Sequence, residues 1–288
     1  MFTSALLEEA LKRKRLVKQM REQLIHNLRV TYARLWVRIK GSNREPEWIA
    51  AELVIPILTL SAYVYLYKML NAPSEYAGFV IIGGTMIAFW VNVLWNMSAQ
   101  FYWEKETGTL EAYLVAPISR MAILLGMALG GIVNTTLRAI VILVAGTIIF
   151  QAPLIVNEPF TALLLFFLTI IALYALGMLF ASLFMLYGRE AWHTASLLQE
   201  PVYFLSGSYF PVKMLPFFVQ LVASLIPLTF GLDGIRRVVI LGAGIADIWL
   251  DIIALVIFIA VLLPLAKFAL NYMENLGKKE GRLTLRWQ

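Results

Sequence analysis

The chain has 288 residues, of which 60% are hydrophobic and 15% charged, and its mean hydropathy is +0.77. This apolar share exceeds the roughly 45–50% of a soluble globular domain, so it excludes an ordinary soluble protein and indicates an integral membrane protein. The net charge of +6 does not imply nucleic acid as a partner, because cytoplasmic loops of membrane proteins carry excess Lys and Arg. The absence of cysteine rules out disulfides and thiolate metal sites.

Residues 1–45 predict a cytoplasmic amphipathic helix and a linker. Apolar residues recur at three- and four-residue steps from Leu7 to Ile39, while Lys and Arg crowd the remaining surface. Such a helix is expected along the inner face of the membrane, either as an anchor to anionic lipid or as a transmitter of force to a partner. Gly41-Ser42-Asn43 predicts the end of the helix, and Trp48 leads the chain into the bilayer.

Residues 46–273 predict six transmembrane helices, and the expected fold class is an all-α membrane protein. Uncharged stretches such as 76–103 and 160–188 exceed the roughly 20 residues that a helix needs to cross hydrocarbon, whereas barrel strands alternate polarity over about 10 residues. The predicted spans are approximately 50–70, 77–100, 121–150, 160–187, 191–210 and 250–272.

The distribution of Lys and Arg orients these spans. Basic residues concentrate before residue 50 and in the predicted cytoplasmic tail 274–288, whereas the connection 151–159 has none. An even number of spans then places both termini in the cytoplasm of a multi-pass protein of the inner (cytoplasmic) membrane. Lys213, Arg236 and Arg237 do not follow this rule, because they lie in a connection that the topology places outside.

The charged segment 103–117, between the second and third spans, predicts a short cytoplasmic helix. Thr107-Gly108-Thr109 interrupts the preceding helix, Thr109 suits an N-cap, and Glu111 in the first turn suits the helix dipole. Pro117 ends the short helix, which presents acidic residues on one side and Leu110, Tyr113 and Leu114 on the other. A rigid helix held between two spans can transmit motion; the alternative is an ordinary loop lying on lipid headgroups.

Two ordered motifs stand out in the sequence. The first is the run EKETGTLEAYLVAPISR at 104–120. The second begins with FLSGSYFP at 204–211 and continues with Leu215-Pro216 and the run PLTF at 227–230. These motifs resemble those of the type-2 ABC exporter permeases, the membrane subunits of ATP-driven exporters. Ile226 departs from the family pattern, which usually has Asn there. Together the two motifs cover residues 50–272 in register with six spans.

The resemblance implies that 103–117 forms the coupling helix, which docks into a groove on a separate nucleotide-binding subunit. The residues that it marks for coupling are Glu104, Glu106, Thr109, Leu110, Glu111, Leu114 and Pro117. The resemblance also implies that 206–237 folds back into the outer leaflet as short re-entrant helices. That segment is marked by Ser206, Gly207, Phe210, Pro211, Pro227 and Thr229.

ATP chemistry is expected in a partner rather than in this chain. A phosphate-binding loop requires the pattern GxxxxGK[ST], and Gly277-Lys278 is followed by Lys279 and lacks the earlier glycine. The two histidines, His26 and His193, belong to no metal-binding motif. No catalytic residue, metal site or cofactor is therefore predicted here, and ATP and Mg²⁺ are assigned to the ATPase subunit.

Two charged residues inside predicted spans carry the hypotheses about a transport path. Arg138 lies midway along the third span and Glu200 lies in the fifth, where a central charge costs about 2.5–3.5 kcal/mol on translocon scales. The favoured interpretation is that they pair with each other or with polar backbone; a polar wall of the path and protonation during transport are the alternatives. Trp90 and Trp95 are further candidates for lining this path.

The favoured function is the permease subunit of an ATP-driven exporter of an amphipathic, lipid-linked or drug-like molecule. Its expected partners are an ABC ATPase subunit, a second copy of itself or a homologous permease, and membrane lipid, without nucleic acid. A secondary transporter is one alternative, which an inverted repeat between the two halves would favour. A membrane scaffold that recruits a soluble partner is another, and copurification with a P-loop protein would argue against both.

Overall fold

A computed structural model describes residues 2–155, 157–186 and 188–281, with side chains described except at 2–12, 16 and 188–192. The described residues are mostly helical and contain no strand, which confirms the predicted all-α class. The α-helices are α1 (Phe2–Ser42), α2 (Pro46–Met69), α3 (Glu75–Val91), α4 (Gln100–Glu106), α5 (Thr109–Val115), α6 (Arg120–Phe150), α7 (Pro159–Phe184), α8 (Gly188–Leu205), α9 (Phe217–Ala223), α10 (Pro227–Leu241) and α11 (Trp249–Glu280).

Five stretches of the described chain are long and apolar enough to cross a membrane. They are α2, α6, α7, α11 and the continuous stretch from α3 to α4. The bent pair of α9 and α10, which meet at 99°, would bring the number to six if the pair counts as one span. The span predicted at 191–210 is not among them, because α8 includes three charged residues, Arg189, Glu190 and Glu200, within its 18 residues. A multi-pass membrane protein is confirmed, but the fifth predicted span is shorter and more polar than expected.

The stretch from α3 to α4 is interrupted by a π-helical turn, Asn92–Ser98. The hydroxyl of Ser98 donates a hydrogen bond to the carbonyl oxygen of Val93 at 2.9 Å, five residues earlier. Such turns widen the helix locally and often occur at functional sites. The turn is buried against α7, where a Cβ at Gly177 would lie 2.8 Å from Cγ1 of Val93. The missing side chain at Gly177 therefore lets α7 lie directly against the turn.

Helix α7 is the centre of the main apolar core, where it packs against α3, α10 and α11. At one crossing, a Cβ at Gly231 of α10 would lie 2.8 Å from Cβ of Thr169 of α7. At another, the hydroxyl of Tyr174 donates to Oδ1 of Asn92 in the π-helical turn at 2.9 Å. The close approach at Gly231 thus holds α10 against α7, and the buried polar pair joins α7 to the second span.

The second half of α1 lies lengthwise and parallel to the first half of α6. Along α6 a stripe at four-residue spacing faces α1: Ala122, Gly126, Gly130, Asn134 and Arg138. A Cβ at Gly126 would lie 2.7 Å from Cβ of Arg34, and one at Gly130 would lie 2.7 Å from Cβ of Arg38. Gly126 and Gly130, which form a GxxxG motif, therefore pack within the subunit, against α1.

Polar contacts extend this interface at both ends. The hydroxyl of Thr31 donates to the carbonyl oxygen of Ala122 at 3.1 Å, near the start of α6. Farther along, the side-chain amide of Asn43 donates to Oδ1 of Asn134 at 3.1 Å. Because buried polar groups need partners, these bonds fix the register of the two helices as well as their contact.

The ends of the described chain differ from the predicted boundaries. Helix α1 ends at Ser42, as the Gly41-Ser42-Asn43 signal predicts, but Leu7 and Leu11 lie outside the described side chains. The predicted tail 274–288 begins within α11, which continues to Glu280, and residues 282–288 lie outside the described residues. Every described side chain between 13 and 26 is exposed, so this half of α1 projects away from the transmembrane helices. That it lies along a membrane stays a prediction.

The contact between α1 and α6 predicts the effect of a single methyl group at Gly126. Gly126→Ala should lower the free energy of unfolding by about 1–3 kcal/mol, because its Cβ overlaps α1, and should make α1 more sensitive to protease. Gly41→Ala is the control, because a Cβ there meets nothing within 4 Å. Thermal unfolding in detergent and limited proteolysis measure the two effects. Equal stability and equal protease sensitivity of the two variants would contradict the packing of α1 against α6.

Candidate coupling and transport site

The predicted coupling segment folds as a helix, a sharp turn and a second short helix. Helix α4 ends at Glu106, Gly108 adopts a left-handed φ of 77°, and α5 runs from Thr109 to Val115. The predicted N-cap is displaced by one residue, since Gly108 occupies that position and Thr109 is the first helical residue. The hydroxyl of Thr109 donates instead to the carboxylate of Glu104. A nearby carboxylate thus competes successfully with the helix terminus for this hydroxyl.

Glu104 is the centre of a buried polar cluster that joins three helices. One guanidinium nitrogen of Arg34 in α1 lies 2.5 Å from Oε1 of Glu104, and the other donates to the hydroxyl oxygen of Tyr113 in α5 at 2.5 Å. The side-chain amide of Gln100 donates to the same carboxylate at 2.7 Å. The sequence places Glu104 among residues that face the ATPase; the structure buries it, so this residue orients α4 and α5 from inside.

Burial raises the pKa of the Tyr113 phenol above its ordinary value. The charge of Glu104 also acts to raise this pKa, whereas the charge of Arg34 acts to lower it. The phenol therefore stays neutral and accepts the hydrogen bond from Arg34 over the physiological pH range. The ion pair between Arg34 and Glu104 therefore stays at the centre of the cluster.

Helix α5 divides into a buried face and an exposed face. Leu110 is buried, while Tyr113 and Leu114 pack against the core. On the opposite face Glu111 and Ala112 are exposed, and Val115 is 87% exposed. Of the other predicted coupling residues, Glu106 is half-buried and Pro117 is exposed. The predicted division into apolar and acidic sides is thus present, except that Ala112 and Val115 lie on the exposed face beside Glu111.

The end of the coupling segment is fastened to the last helix. Arg120, the first residue of α6, lies 3.0 Å from Oε1 of Glu274 in α11 and donates to the carbonyl oxygen of Leu114 at 3.1 Å. Lys278 also contacts the Glu274 carboxylate, at 2.6 Å. The segment that follows α5 is therefore held by α11 through a carboxylate that is largely buried.

Arg138 pairs with a different carboxylate from the one predicted. Its guanidinium forms an ion pair with Glu52 of α2 and a hydrogen bond of 3.3 Å to the hydroxyl oxygen of Ser42. Glu200 is exposed in the monomer, and its carboxylate accepts a bond from the neighbouring Gln199 at 3.4 Å. The direct pair of Arg138 and Glu200 is therefore not formed, because Glu52 of α2 lies nearer.

Arg138 and Glu200 nonetheless line one cavity of about 510 Å³ between α2, α3 and α8, hereafter the central cavity. Its polar lining includes Glu52, Asn92 and Asn96. Its aromatic lining consists of Trp48, Tyr63, Tyr203 and Tyr209. An apolar aromatic wall with a few charged groups is the usual composition of a site for an amphipathic ligand.

The two predicted tryptophans have different positions. Trp90 is 1% exposed and belongs to the main core, so it does not line the central cavity. Trp95 is partly buried, and its indole N–H donates to Oε1 of Gln199 at 2.5 Å. Gln199 lines the cavity and Trp95 does not. Trp95 therefore affects the cavity wall only by holding the side chain of Gln199.

Arg236 holds the predicted re-entrant segment to α3. Its buried guanidinium donates to the carbonyl oxygens of Phe79, Gly207 and Ser208, at distances from 2.5 to 3.2 Å. It also lies 3.4 Å from the ring centroid of Phe79. A Cβ at Gly83 would overlap the carbonyl oxygen of Ser208, so only glycine allows this approach.

The remaining predicted residues of this segment form turns and helix starts. Gly207 has a left-handed φ of 66°, and the hydroxyls of Ser206 and Ser208 lie 2.7 Å apart. Phe210 stacks edge-on against Phe204, and Pro211 precedes a 3₁₀ turn, Val212–Met214. Pro227 begins α10, and the hydroxyl of Thr229 donates to the carbonyl oxygen of Ala223 at 2.8 Å. The segment is broken as its glycines and prolines predict.

Three basic residues, Lys213, Arg236 and Arg237, do not follow the expected concentration of Lys and Arg on the cytoplasmic side. Contacts inside the protein explain the positions of two of them. Arg236 is satisfied by backbone carbonyls, and Arg237 lies 3.2 Å from a carboxylate oxygen of Asp251 in α11. Their charges are neutralised or solvated by the protein itself, so they say little about which side of the membrane they occupy.

Sequence reasoning missed the residues that organise both regions. Arg34 lies among many basic residues of α1, and nothing in the pattern separates it from Arg29 or Arg38. Glu52 carries a usable signal, since it is a carboxylate within a predicted span. Tyr63, Tyr203 and Tyr209 appear as ordinary interfacial aromatics, and only the fold brings them to one cavity.

The new pairing predicts the outcome of two double-mutant cycles. Arg138→Leu and Glu52→Gln should be non-additive, with an interaction energy of about 0.5–3 kcal/mol, because each removes one partner of the same ion pair. Arg138→Leu and Glu200→Gln should be additive. Thermal unfolding in detergent measures all variants, and coupling in the second cycle with additivity in the first would overturn the assignment.

Known proteins resemble the chain over the region that contains these features. The model of the ABC-2 type transporter family matches residues 29–240. A putative transport permease, ycf38 of Porphyra purpurea, is 27% identical over 228 residues, which are 75% of either protein.

Two further relatives come from Escherichia coli (strain K12). The inner membrane transport permease YadH is 25% identical over 196 residues, which are 66% of this chain and 75% of that protein. The probable multidrug ABC transporter permease YbhR is 25% identical over 183 residues, and the chain spans only 48% of its length. Since the family match includes the second half of α1, the coupling segment and α10, the chain belongs to the ABC-2 type transporter family and is a membrane transport permease.

Proposed function

We propose that the chain is the permease subunit of an ATP-driven exporter and works with a separate ABC ATPase subunit. The observation that carries this proposal is α5, a short helix anchored from inside by Glu104 and Arg34 while its outer face is free. Membership in the family supports an ABC ATPase partner in general. ATP and Mg²⁺ belong to that partner, and a second copy of this chain or a homologous permease completes the assembly.

The outer face of α5 is the proposed docking surface. Val115 supplies an exposed apolar contact, and Glu111 and Pro117 lie on either side of it in the chain. Leu110 and Leu114 keep the helix attached to the permease from the opposite face. A partner that grips this face therefore moves the whole helix rather than a loose loop.

Motion of α5 has two routes into the transmembrane helices. Through Glu104 it reaches α4 and the π-helical turn, whose Asn92 and Asn96 line the central cavity. Through Arg120 it reaches α6 and the end of α11. ATP-driven closure of the partner thereby changes the shape of the central cavity, which is the proposed transport path.

The central cavity favours an amphipathic, lipid-linked or drug-like cargo. Four aromatic side chains provide apolar contact, while Glu200 and the pair of Arg138 and Glu52 provide polar contact. The name of the relative YbhR, a probable multidrug permease, supports the drug-like case. The distribution of Lys and Arg supports a chain with both termini in the cytoplasm. The proposed direction of transport is outward.

Affinity purification from native membranes tests this proposal. The wild-type chain should recover a P-loop protein and ATP hydrolysis, whereas Glu111→Lys combined with Val115→Asp should reduce both severalfold. The reason is that the two substitutions place an opposite charge and an uncompensated carboxylate at the docking surface.

Glu75→Lys is the matched control, since Glu75 is an exposed carboxylate at the start of α3, at the opposite end of the span that leads to α4 and α5. It should recover the ATPase as well as the wild type does. Equal recovery by the α5 double variant would remove α5 as the docking element. Absence of any P-loop protein from the wild-type sample would contradict the proposed function as a whole.

A further inference from the structure

A second cavity, hereafter the polar cavity, opens between α1, the start of α2, and the segment α4 to α5. It has a volume of about 600 Å³. Arg34, Arg38, Asn96 and Gln100 contribute polar groups to its wall. Trp48 and Asn96 line both this cavity and the central cavity, so the two are adjacent.

The basic residues around the polar cavity differ in whether they have an anionic partner. Arg34 is paired with Glu104, and Arg138, just beyond the wall, is paired with Glu52. The guanidinium of Arg38 forms no hydrogen bond or ion pair with any side chain in the described part of the chain, although its stem packs over Gly130. Glu45, at the exposed edge, does not form an ion pair with it either.

Burial lowers the pKa of Arg38 from its ordinary value, and the neighbouring charges of Arg138 and Arg34 lower it further, while Tyr174 acts in the opposite direction. A guanidinium ordinarily titrates above about pH 12, so Arg38 keeps its charge at neutral pH. A partly buried cation without an anion is costly, and binding an anion from outside relieves that cost.

We propose that Arg38 binds the phosphate group of an anionic amphiphile that enters the polar cavity from the cytoplasmic leaflet. A guanidinium offers two parallel N–H donors to a phosphate, which a point charge cannot. Asn96 and Gln100 line the same wall and can donate further hydrogen bonds. The apolar part of the ligand then extends past Trp48 toward Tyr63 and Tyr203 in the central cavity.

The edge of the polar cavity suits a membrane ligand. Trp48 is 60% exposed and Trp103 is 45% exposed, and both line this cavity. Tryptophan favours the headgroup level of a bilayer, where an amphiphile presents its phosphate. The phosphate belongs either to a bilayer lipid or to the cargo, and the second case rests on the proposed function.

The first experiment uses the permease alone, so that it is independent of any ATPase. The chain is purified in detergent, mixed with phosphatidylglycerol or phosphatidylcholine, and examined by native mass spectrometry. Wild type should retain phosphatidylglycerol preferentially, and Arg38→Gln should retain it about tenfold less, since a charge-assisted contact is lost. Arg38→Lys should lie between the two, because lysine keeps the charge and loses the paired donors.

Lys40→Gln is the matched control. It removes the same charge two residues along α1, from an exposed side chain that lies 5.2 Å from the ring of Trp36. It should retain phosphatidylglycerol as the wild type does. Should Arg38→Gln fail to fold, Asn96→Asp keeps the side-chain shape and places a negative charge on the same wall, and it should also lower retention.

The second experiment separates the two sources of the phosphate. ATP hydrolysis by the permease with its ATPase, in discs of phosphatidylcholine, is titrated with short-chain phosphatidic acid. If phosphatidic acid stimulates ATP hydrolysis by the wild type and not by Arg38→Gln, the phosphate belongs to a cargo headgroup. If Arg38→Gln retains less phosphatidylglycerol but ATP hydrolysis is stimulated as in the wild type, the phosphate belongs to a bilayer lipid. Equal retention of phosphatidylglycerol by wild type, Arg38→Gln and Asn96→Asp would overturn the proposal, and that result is obtained whether or not an ATPase is bound.

Discussion

The ion pair between Arg34 and Glu104 is the interaction on which the arrangement of α1, α4 and α5 depends. Both side chains are largely buried, and the contact of 2.5 Å is surrounded by bonds from Gln100 and Thr109 to the same carboxylate. Removing either partner leaves an uncompensated charge in a poorly solvated place, which is costly even where the intact pair contributes little net stability. One guanidinium thereby holds α1, α4 and α5 in a fixed arrangement, and α5 can present Val115 outward because its other face is held.

Under the proposed function, helix α1 becomes part of the apparatus that transmits force from the ATPase. Its second half fits against the glycine stripe of α6, its Arg34 orients α5, and its Arg38 lines the polar cavity. A displacement of α5 by the ATPase is therefore expected to move the wall of a cavity that lies next to the central cavity. In this account α1 does more than anchor the chain to lipid, because the same helix transmits force from α5 and contributes to ligand binding.

Features encoded by neighbouring residues could be predicted from the sequence. The end of α1, the break at Gly108 and the short helix ended by Pro117 follow from turn chemistry and periodicity. Features that depend on distant residues could not. Arg138 has two carboxylates of similar plausibility, Glu52 and Glu200, and only the approach of α2 to α6 decides between them. Thr109 likewise has the right chemistry for an N-cap, but the buried carboxylate of Glu104 takes its hydroxyl.

The most direct test of this account is a distance measurement between α1 and α5 during the ATPase cycle. Because the chain has no cysteine, spin labels can be placed at the exposed positions Gln23 and Ala112. Pulsed electron resonance on the complex in lipid discs, without nucleotide and trapped with ATP, gives the two distance distributions. The account predicts the same distance in both states, because α1 and α5 move as one body. A distance that changes with nucleotide would contradict it.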